Sequence, residues 1–210
     1  MRRAAALLLA LALAGCASHR VCLPDGAAAA GPPPPDWRDA ATDPDHAKLR
    51  GVRQAFLEGL AAARAAGFDG AIAAEGRLFD PDAGEDGATL APGAYRCRSY
   101  TLGSTMPGRP AFVAEAPQPC GIEADGMLQR LREQGTPQRL TGRVYPDSPA
   151  RTVFLGTRVL ADEATALHYG RDADRDTAGA INRVGPARWR LAIPRPAWGA
   201  TIELVEIVPE

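Results

Sequence analysis

The chain has few of the residues from which recognisable catalytic sites are built. It contains three histidines and four cysteines in 210 residues. No pair of cysteines has the Cys-x-x-Cys spacing of a zinc or thioredoxin-like site, and no Gly-x-Ser-x-Gly motif presents a nucleophilic serine. These absences favour a protein that is not an enzyme, and we expect neither a cofactor nor a metal.

A block of basic residues and a long apolar run are also missing. The formal net charge is -1, and no cluster of lysine or arginine forms the basic patch typical of nucleic-acid binding. The apolar run from Ala4 to Ala14 is roughly half of the ~20 residues that a membrane-spanning helix needs. We therefore predict no nucleic-acid partner, and we do not expect this run to remain as a transmembrane anchor.

The N-terminus instead has the pattern of a bacterial lipoprotein signal. Arg2 and Arg3 precede the apolar run, which leads through Ala14 and Gly15 directly into Cys16. A basic start, an apolar stretch and a small-residue cleavage site together make a secretory signal. We predict that residues 1–15 are removed and that Cys16 is acylated, so that membrane lipid holds the protein. An ordinary secretory signal with Cys16 incidental is the alternative.

Residues 16–36 read as a tether between this anchor and a folded domain. Four alanines (27–30) and four prolines (32–35) stand close together, and a proline run favours a stiff, extended spacer. Ala17 and Ser18 follow the cysteine, and by resemblance to bacterial sorting signals a residue other than Asp there indicates the outer membrane. We expect a lipid-anchored envelope protein that faces the periplasm.

The remaining cysteines fit this oxidising compartment, in which disulfides persist. Cys97 and Cys120 flank predicted β segments, and we predict a disulfide between them. Cys22 lies in the tether and has no obvious intramolecular mate.

Residues 37–210 are predicted to form a single globular domain that begins with one amphipathic helix at about 44–66. Asp43 can cap the helix, and Pro44 suits its first position. Apolar residues then recur at helical spacing and predict a face that packs on a sheet: Leu49, Val52, Phe56, Leu57 and Leu60. The Gly-, Asp- and Pro-rich segment from Asp69 to Gly93 is predicted to be a crossing loop.

A β domain at about 94–208 follows, in which polar and apolar residues alternate. Turn residues separate Arg139–Tyr145 from Arg151–Leu160, and Ala180–Val184 from Arg188–Ile193, so each pair predicts a hairpin. About seven or eight short strands are expected. No alternation of strands with helices suggests a parallel sheet, so the predicted class is α+β and mainly β. An antiparallel barrel and a sandwich both stay open.

Five segments of this domain carry a family resemblance: Trp37–Thr42, Pro92–Arg98, Thr141–Tyr145, Val153–Thr157 and Gly185–Leu191. On these segments the chain resembles a family of uncharacterised bacterial envelope proteins, domain of unknown function 4893. The resemblance implies an envelope location. It implies no chemistry and no site residues.

Arginines in or beside the β segments are the candidate ligand-binding residues. Planar guanidinium groups bind carboxylates and phosphates through two parallel hydrogen bonds. If several arginines point into a barrel mouth, an anionic ligand would bind there; otherwise they form the solvent face of the strands. The candidates are Arg96, Arg98, Arg143 and Arg190, with Trp189 beside them.

The hypothesis that follows is a lipid-anchored periplasmic domain that binds a small ligand or a periplasmic protein. One alternative is an envelope enzyme that uses carboxylates from two acidic loops, Asp80–Asp86 and Asp172–Asp176. The second loop echoes the start of a calcium site, but Thr177 stands where that pattern has glycine. Another alternative is a small-barrel protease inhibitor with a protruding segment around Trp37 to Asp43.

Overall fold

The computed structural model describes residues 32–135, 137–161 and 163–210. The predicted signal, Cys16, Cys22 and the tether up to residue 31 lie outside the described residues. Residues 34–210 form one compact unit. Among the described residues, no helix has the length and apolar character to cross a membrane.

A helical layer precedes the strands. Its elements are α1 (Trp37–Ala40), α2 (Asp43–Arg50), α3 (Val52–Ala65), α4 (Asp69–Ala74) and a 3₁₀ helix (Gly76–Phe79). The helix predicted at about 44–66 is therefore two helices that meet at Gly51, whose backbone lies outside the helical region (φ -93°, ψ 4°). Glycine is among the poorest helix formers, and apolar spacing does not register that weakness. The predicted loop at 69–93 likewise contains α4 and the 3₁₀ helix.

Nine strands follow: β1 (Gly93–Ser104), β2 (Phe112–Ala114), β3 (Gln118–Asp125), β4 (Leu128–Glu133), β5 (Gln138–Ser148), β6 (Arg151–Leu160), β7 (Asp176–Gly185), β8 (Arg188–Pro194) and β9 (Ala200–Pro209). Every pairing between them is antiparallel. Both predicted hairpins are confirmed, as β5–β6 and β7–β8.

The sheet closes into a barrel because β9 pairs with β1 along most of its length. Eight strands make the closed ring, and the short β2 pairs with the second half of β1. Closure leaves the ring without a free edge. The predicted class, mainly β and antiparallel, is confirmed, and the structure selects the barrel over the sandwich.

Apolar residues fill the barrel and also cover part of its outside. Leu131, Leu140, Phe154, Ile181 and Leu191 belong to the inner cluster and are fully buried. Outside the barrel, Phe56 and Leu60 of α3 pack on residues of β1 and β9. The prediction that the helical face packs on a sheet is confirmed.

The disulfide between Cys97 and Cys120 is confirmed, with an S–S distance of 2.05 Å. It joins β1 to β3, which are neighbours in the barrel. Both cysteines belong to the inner cluster.

Two glycines make room for an aromatic ring inside the barrel. Gly142 of β5 and Gly156 of β6 are direct partners. A Cβ added to Gly156 would lie 2.4 Å from the carbonyl oxygen of Thr141 and 2.5 Å from Cζ of Phe154. The buried Phe154 ring therefore occupies the volume that side chains at these positions would need.

We expect Gly156→Ala to lower the free energy of unfolding by about 2 kcal/mol, because overpacking a filled core forces side chains and backbone to shift. Urea denaturation measures the change. Gly121→Ala is the matched control, since its Cβ would meet only an ordinary contact at 3.6 Å. Equal stability of the Gly156 and Gly121 variants would contradict the packing described here.

Candidate ligand site in the barrel mouth

One end of the barrel opens into a cavity of about 400 Å³. We call this cavity the barrel mouth. Its walls come from β1, β3, β4, β5, β6 and β9 and from the segments around β2 and before β9. The lining residues used below are Ser99, Arg109, Val113, Glu115, Glu133, Arg158, Trp198 and Glu203.

A buried ion pair crosses the barrel interior at the base of the mouth. Arg158 Nη2 of β6 lies 2.7 Å from Glu203 Oε2 of β9, and these strands are not neighbours in the sheet. The side chains of Arg158 and Glu203 are 11% and 5% exposed. Burial raises the pKa of Glu203, while Arg158 and the Ser99 hydroxyl act in the opposite direction. The guanidinium carbon also lies 3.6 Å from the centre of the Trp198 ring.

Glu133 is a second buried carboxylate in the same cavity, and no arginine in the described part of the chain forms an ion pair with it. The residue is 7% exposed, and its Oε2 accepts a 2.8 Å hydrogen bond from the backbone N–H of Leu140. The pKa of Glu133 is raised to about 7, mainly by burial; the Leu140 N–H and Arg158 lower it, whereas the Glu203 and Glu115 carboxylates also raise it. Near neutral pH this group therefore exchanges readily between its charged and neutral forms.

Strand alternation explains why these charges point inward. Glu133 stands two residues after the buried Leu131, Arg158 stands four after Phe154, and Glu203 stands two before Val205. Side chains two apart on a strand share a face, so each charged residue continues an apolar row into the lumen. Sequence reasoning missed Glu133 and Glu203 as site residues. A charged residue at the next inward-facing position after a row of apolar residues could have indicated them.

The five predicted ligand-binding residues do not come together. Arg96 and Arg98 alternate with the inward Tyr95 and Cys97, so they lie on the outer face of β1. Arg96 donates to the Pro117 carbonyl oxygen.

Arg98 and Arg143 bind acidic neighbours outside the barrel. Arg98 Nη1 lies 3.2 Å from Glu75 Oε1. Arg143 Nε lies 2.8 Å from Asp125 Oδ2.

The last two candidates have structural contacts. Arg190 is 2% exposed and donates to backbone carbonyl oxygens beneath the helical layer. Trp189 donates to the Gly87 carbonyl oxygen and meets the Tyr95 ring edge-on. Ligand binding by any of the five stays a prediction, and the structure does not support one shared arginine site.

The two acidic loops contact different parts of the molecule. Asp82 pairs with Arg53 of α3 at 2.8 Å, whereas Asp172 pairs with Arg175 in its own loop. Within the described ranges, no hydrogen bond or ion pair joins the loops, and no group of three His, Cys, Asp or Glu residues could hold a metal ion. The convergent carboxylates that the enzyme alternative requires are not found there.

The segment around Trp37 packs against the barrel. Trp37 is 7% exposed, and its Nε1 donates to Asp147 Oδ1 at 2.8 Å. Tyr169 accepts a hydrogen bond from the Thr42 N–H and donates one to the buried Asp45. The protruding segment expected of an inhibitor is thus not present at this position.

A wider groove of about 940 Å³ lies outside β4, β5 and β6 and borders the mouth at Glu133. Three of its arginines have acidic partners: Arg130 and Arg143 both contact Asp125 Oδ2, and Arg132 lies 3.8 Å from Glu123. Arg139 donates to the Glu163 carbonyl oxygen. The mouth is the stronger candidate, because it also contains the buried Arg158–Glu203 pair.

Comparison with known protein families identifies a family to which most of the chain matches. The family model described as "Domain of unknown function (DUF4893)" matches residues 37–207. No curated protein matches the chain, and no solved structure does. The resemblance to domain of unknown function 4893 is therefore confirmed, whereas the envelope location that it implied stays a prediction.

Proposed function

Since the chain belongs to the DUF4893 family, whose description names no activity, we propose a function from its structure. The protein is a non-enzymatic binding protein whose barrel takes a small ligand at the mouth. Acylated Cys16 and the Ala/Pro tether hold it at the periplasmic face of the outer membrane.

The observation that carries this proposal is the charge buried around the mouth. Arg158, Glu203 and Glu133 lose water when they enter the barrel, and such desolvation is expensive even for a paired ion. Apolar side chains of similar size would fill the same volume without that cost. A perturbed carboxylate that borders a cleft is a recognised mark of a functional site.

The dimensions of the cavity support a small ligand. Eight strands enclose an interior that is filled by side chains or holds one small ligand. Here apolar side chains fill the middle of the barrel, and a space of about 400 Å³ remains at one end. That volume is within the range of small-molecule sites, ~300–1,000 Å³.

The N-terminal pattern supports the location. An acyl chain on Cys16 would bind membrane at about 0.8 kcal/mol per buried methylene, and a proline-rich spacer would hold the barrel away from the lipid. Mass spectrometry of the mature protein should find residues 1–15 removed and Cys16 acylated. An intact Met1 or an unmodified Cys16 would contradict this part of the proposal.

Native mass spectrometry of protein purified from the envelope tests the binding role. The wild type should carry a small molecule, and Ser99→Phe should lose it because the new ring fills the mouth. Ser148→Phe is the matched control, since Ser148 is exposed at the far end of β5. A wild type without bound small molecule, or equal retention by Ser99→Phe, would contradict the proposal.

The raised pKa of Glu133 predicts a pH-dependent stability. The folded pKa of about 7 exceeds the ordinary 4.5, so the folded state keeps a proton that the unfolded chain has lost. The stabilising contribution is complete below about pH 4.5 and disappears as pH rises through about 7. At 1.36 kcal/mol per pKa unit, it amounts to about 3 kcal/mol.

Urea denaturation across this pH range should show that loss in the wild type, and Glu133→Gln should remove the part that Glu133 contributes. Glu123→Gln is the control, because the Glu123 side chain is 56% exposed. The same pH dependence in wild type and Glu133→Gln would show that Glu133 is not the titrating group.

A further inference from the structure

We propose that the barrel mouth recognises a primary amine carried on a short apolar body, and that Glu133 binds the ammonium group. This inference rests on the proposed function and names the class of its ligand.

The first argument is the geometry of Glu133. The residue faces Cys120 across β3 and β4, and it lines the cavity while remaining more than nine-tenths buried. Only Oε2 has a hydrogen bond within the described residues, from Leu140. An ionised carboxylate accepts hydrogen bonds at both oxygens. Oε1 is therefore the acceptor that remains for a ligand.

The second argument is the charge around that oxygen. Glu203 of β9 and Glu115 after β2 face Glu133, and Arg158 of β6 is the cation that opposes them. Arg158 Nη2 is already paired with Glu203 at 2.7 Å. The other arginine of the lining, Arg109, is exposed, and its Nη1 donates to the Trp198 carbonyl oxygen. A cationic ligand would balance Glu133, whereas an anion would add to the carboxylate charge.

The third argument is the chemistry of the walls. Val113, Pro110, Pro137 and Ala116 border the cavity beside the polar base, and Val113 is 36% exposed. Burial of ligand methylene groups against such walls favours binding by roughly 25 cal/mol per Å² of apolar area removed from water. A ligand with a cationic head and a short apolar chain matches both the base and the walls.

Three probes of equal chain length separate the possibilities: n-hexylamine, 1-hexanol and hexanoate. Calorimetric titration at about pH 8 keeps most of Glu133 ionised. We expect n-hexylamine to bind at least about tenfold more tightly than either of the other probes, because a hydrogen bond between charged groups contributes more than a neutral one. Chemical-shift changes should appear at Ser99 and Trp198, which line the mouth.

Variants assign the interaction to one carboxylate. Glu133→Gln should weaken amine binding by about tenfold to a hundredfold, and Glu123→Gln, an exposed carboxylate outside the mouth, should not change it. Glu133→Asp keeps the charge and should retain a preference for the amine over the alcohol. Amine affinity should rise between about pH 5 and about pH 8 in the wild type, as Glu133 loses its proton, and stay level in Glu133→Gln.

The outcomes distinguish this inference from the proposed function. Tighter binding of hexanoate, or equal amine affinity in wild type and Glu133→Gln, would overturn the amine assignment and leave a ligand-binding mouth. If none of the probes shifts the signals of the mouth, the amine assignment also fails. The proposed function fails as well if envelope-purified protein carries no small molecule.

Discussion

Arg158→Met should lower the free energy of unfolding by about 3 to 5 kcal/mol, and the added substitution Glu203→Met should restore most of that loss. The single variant leaves Glu203, which is 4% exposed, without its cationic partner. The double variant replaces two desolvated charges by apolar side chains, which is often neutral or stabilising. A double-mutant cycle measured by urea denaturation gives the coupling energy.

The control for this cycle is Arg143→Met, which breaks the pair with Asp125. The Arg143 side chain is 52% exposed, and ion pairs of that kind contribute ~0 to 1 kcal/mol. Arg158→Met should also regain stability on acidification, because Glu203 can then take up a proton. A loss below about 1 kcal/mol in Arg158→Met would show that Glu203 does not depend on this arginine.

The second large effect is expected at Arg190, which holds the segment after α4 against the barrel. Its Nη1 donates to the carbonyl oxygens of Leu78 at 2.9 Å and Asp80 at 2.6 Å, and its Nη2 donates to that of Ala83 at 3.0 Å. The guanidinium carbon lies 4.8 Å from the centre of the Phe56 ring of α3. Burial lowers the pKa of Arg190 to about 10, so the group keeps its charge near neutral pH.

Arg190→Ala should therefore destabilise the protein by about 4 kcal/mol, because three carbonyl oxygens lose their donor and the buried stem leaves a cavity. Arg190→Lys should recover only part of the loss, since an ammonium group cannot copy the planar fork of guanidinium. Urea denaturation and hydrogen exchange of residues 76–83 measure the effect.

Arg96→Ala is the matched control, because Arg96 is another arginine of the outer face but its side chain is 41% exposed. Its change should stay within about 0.5 kcal/mol. Similar effects at Arg96 and Arg190 would contradict the anchoring role.

The contrast between these arginines shows where sequence reasoning reached its limit. Local alternation correctly indicated strands around Arg96, Arg143 and Arg190. It could not say which outer face the helical layer covers, since that depends on contacts between α3 and strands far along the chain. Arg190 therefore looked like a candidate ligand-binding residue, whereas its donors face backbone carbonyls.

The mouth was hidden for a related reason. Glu133, Arg158 and Glu203 belong to strands β4, β6 and β9, and each is an ordinary charged residue in its own segment. Only barrel closure brings Arg158 within 2.7 Å of Glu203. The raised pKa of Glu133 likewise arises from burial and from charges on other strands.

The amino-acid sequence by itself determined the class of fold, both hairpins, the Cys97–Cys120 pairing and the family. Each depends on local alternation, turn residues or a motif that is legible along the chain. The tertiary structure decided the barrel over the sandwich and the charges that meet in the mouth. Those features depend on contacts such as β1 with β9, whose geometry is set by how the whole sheet twists and closes.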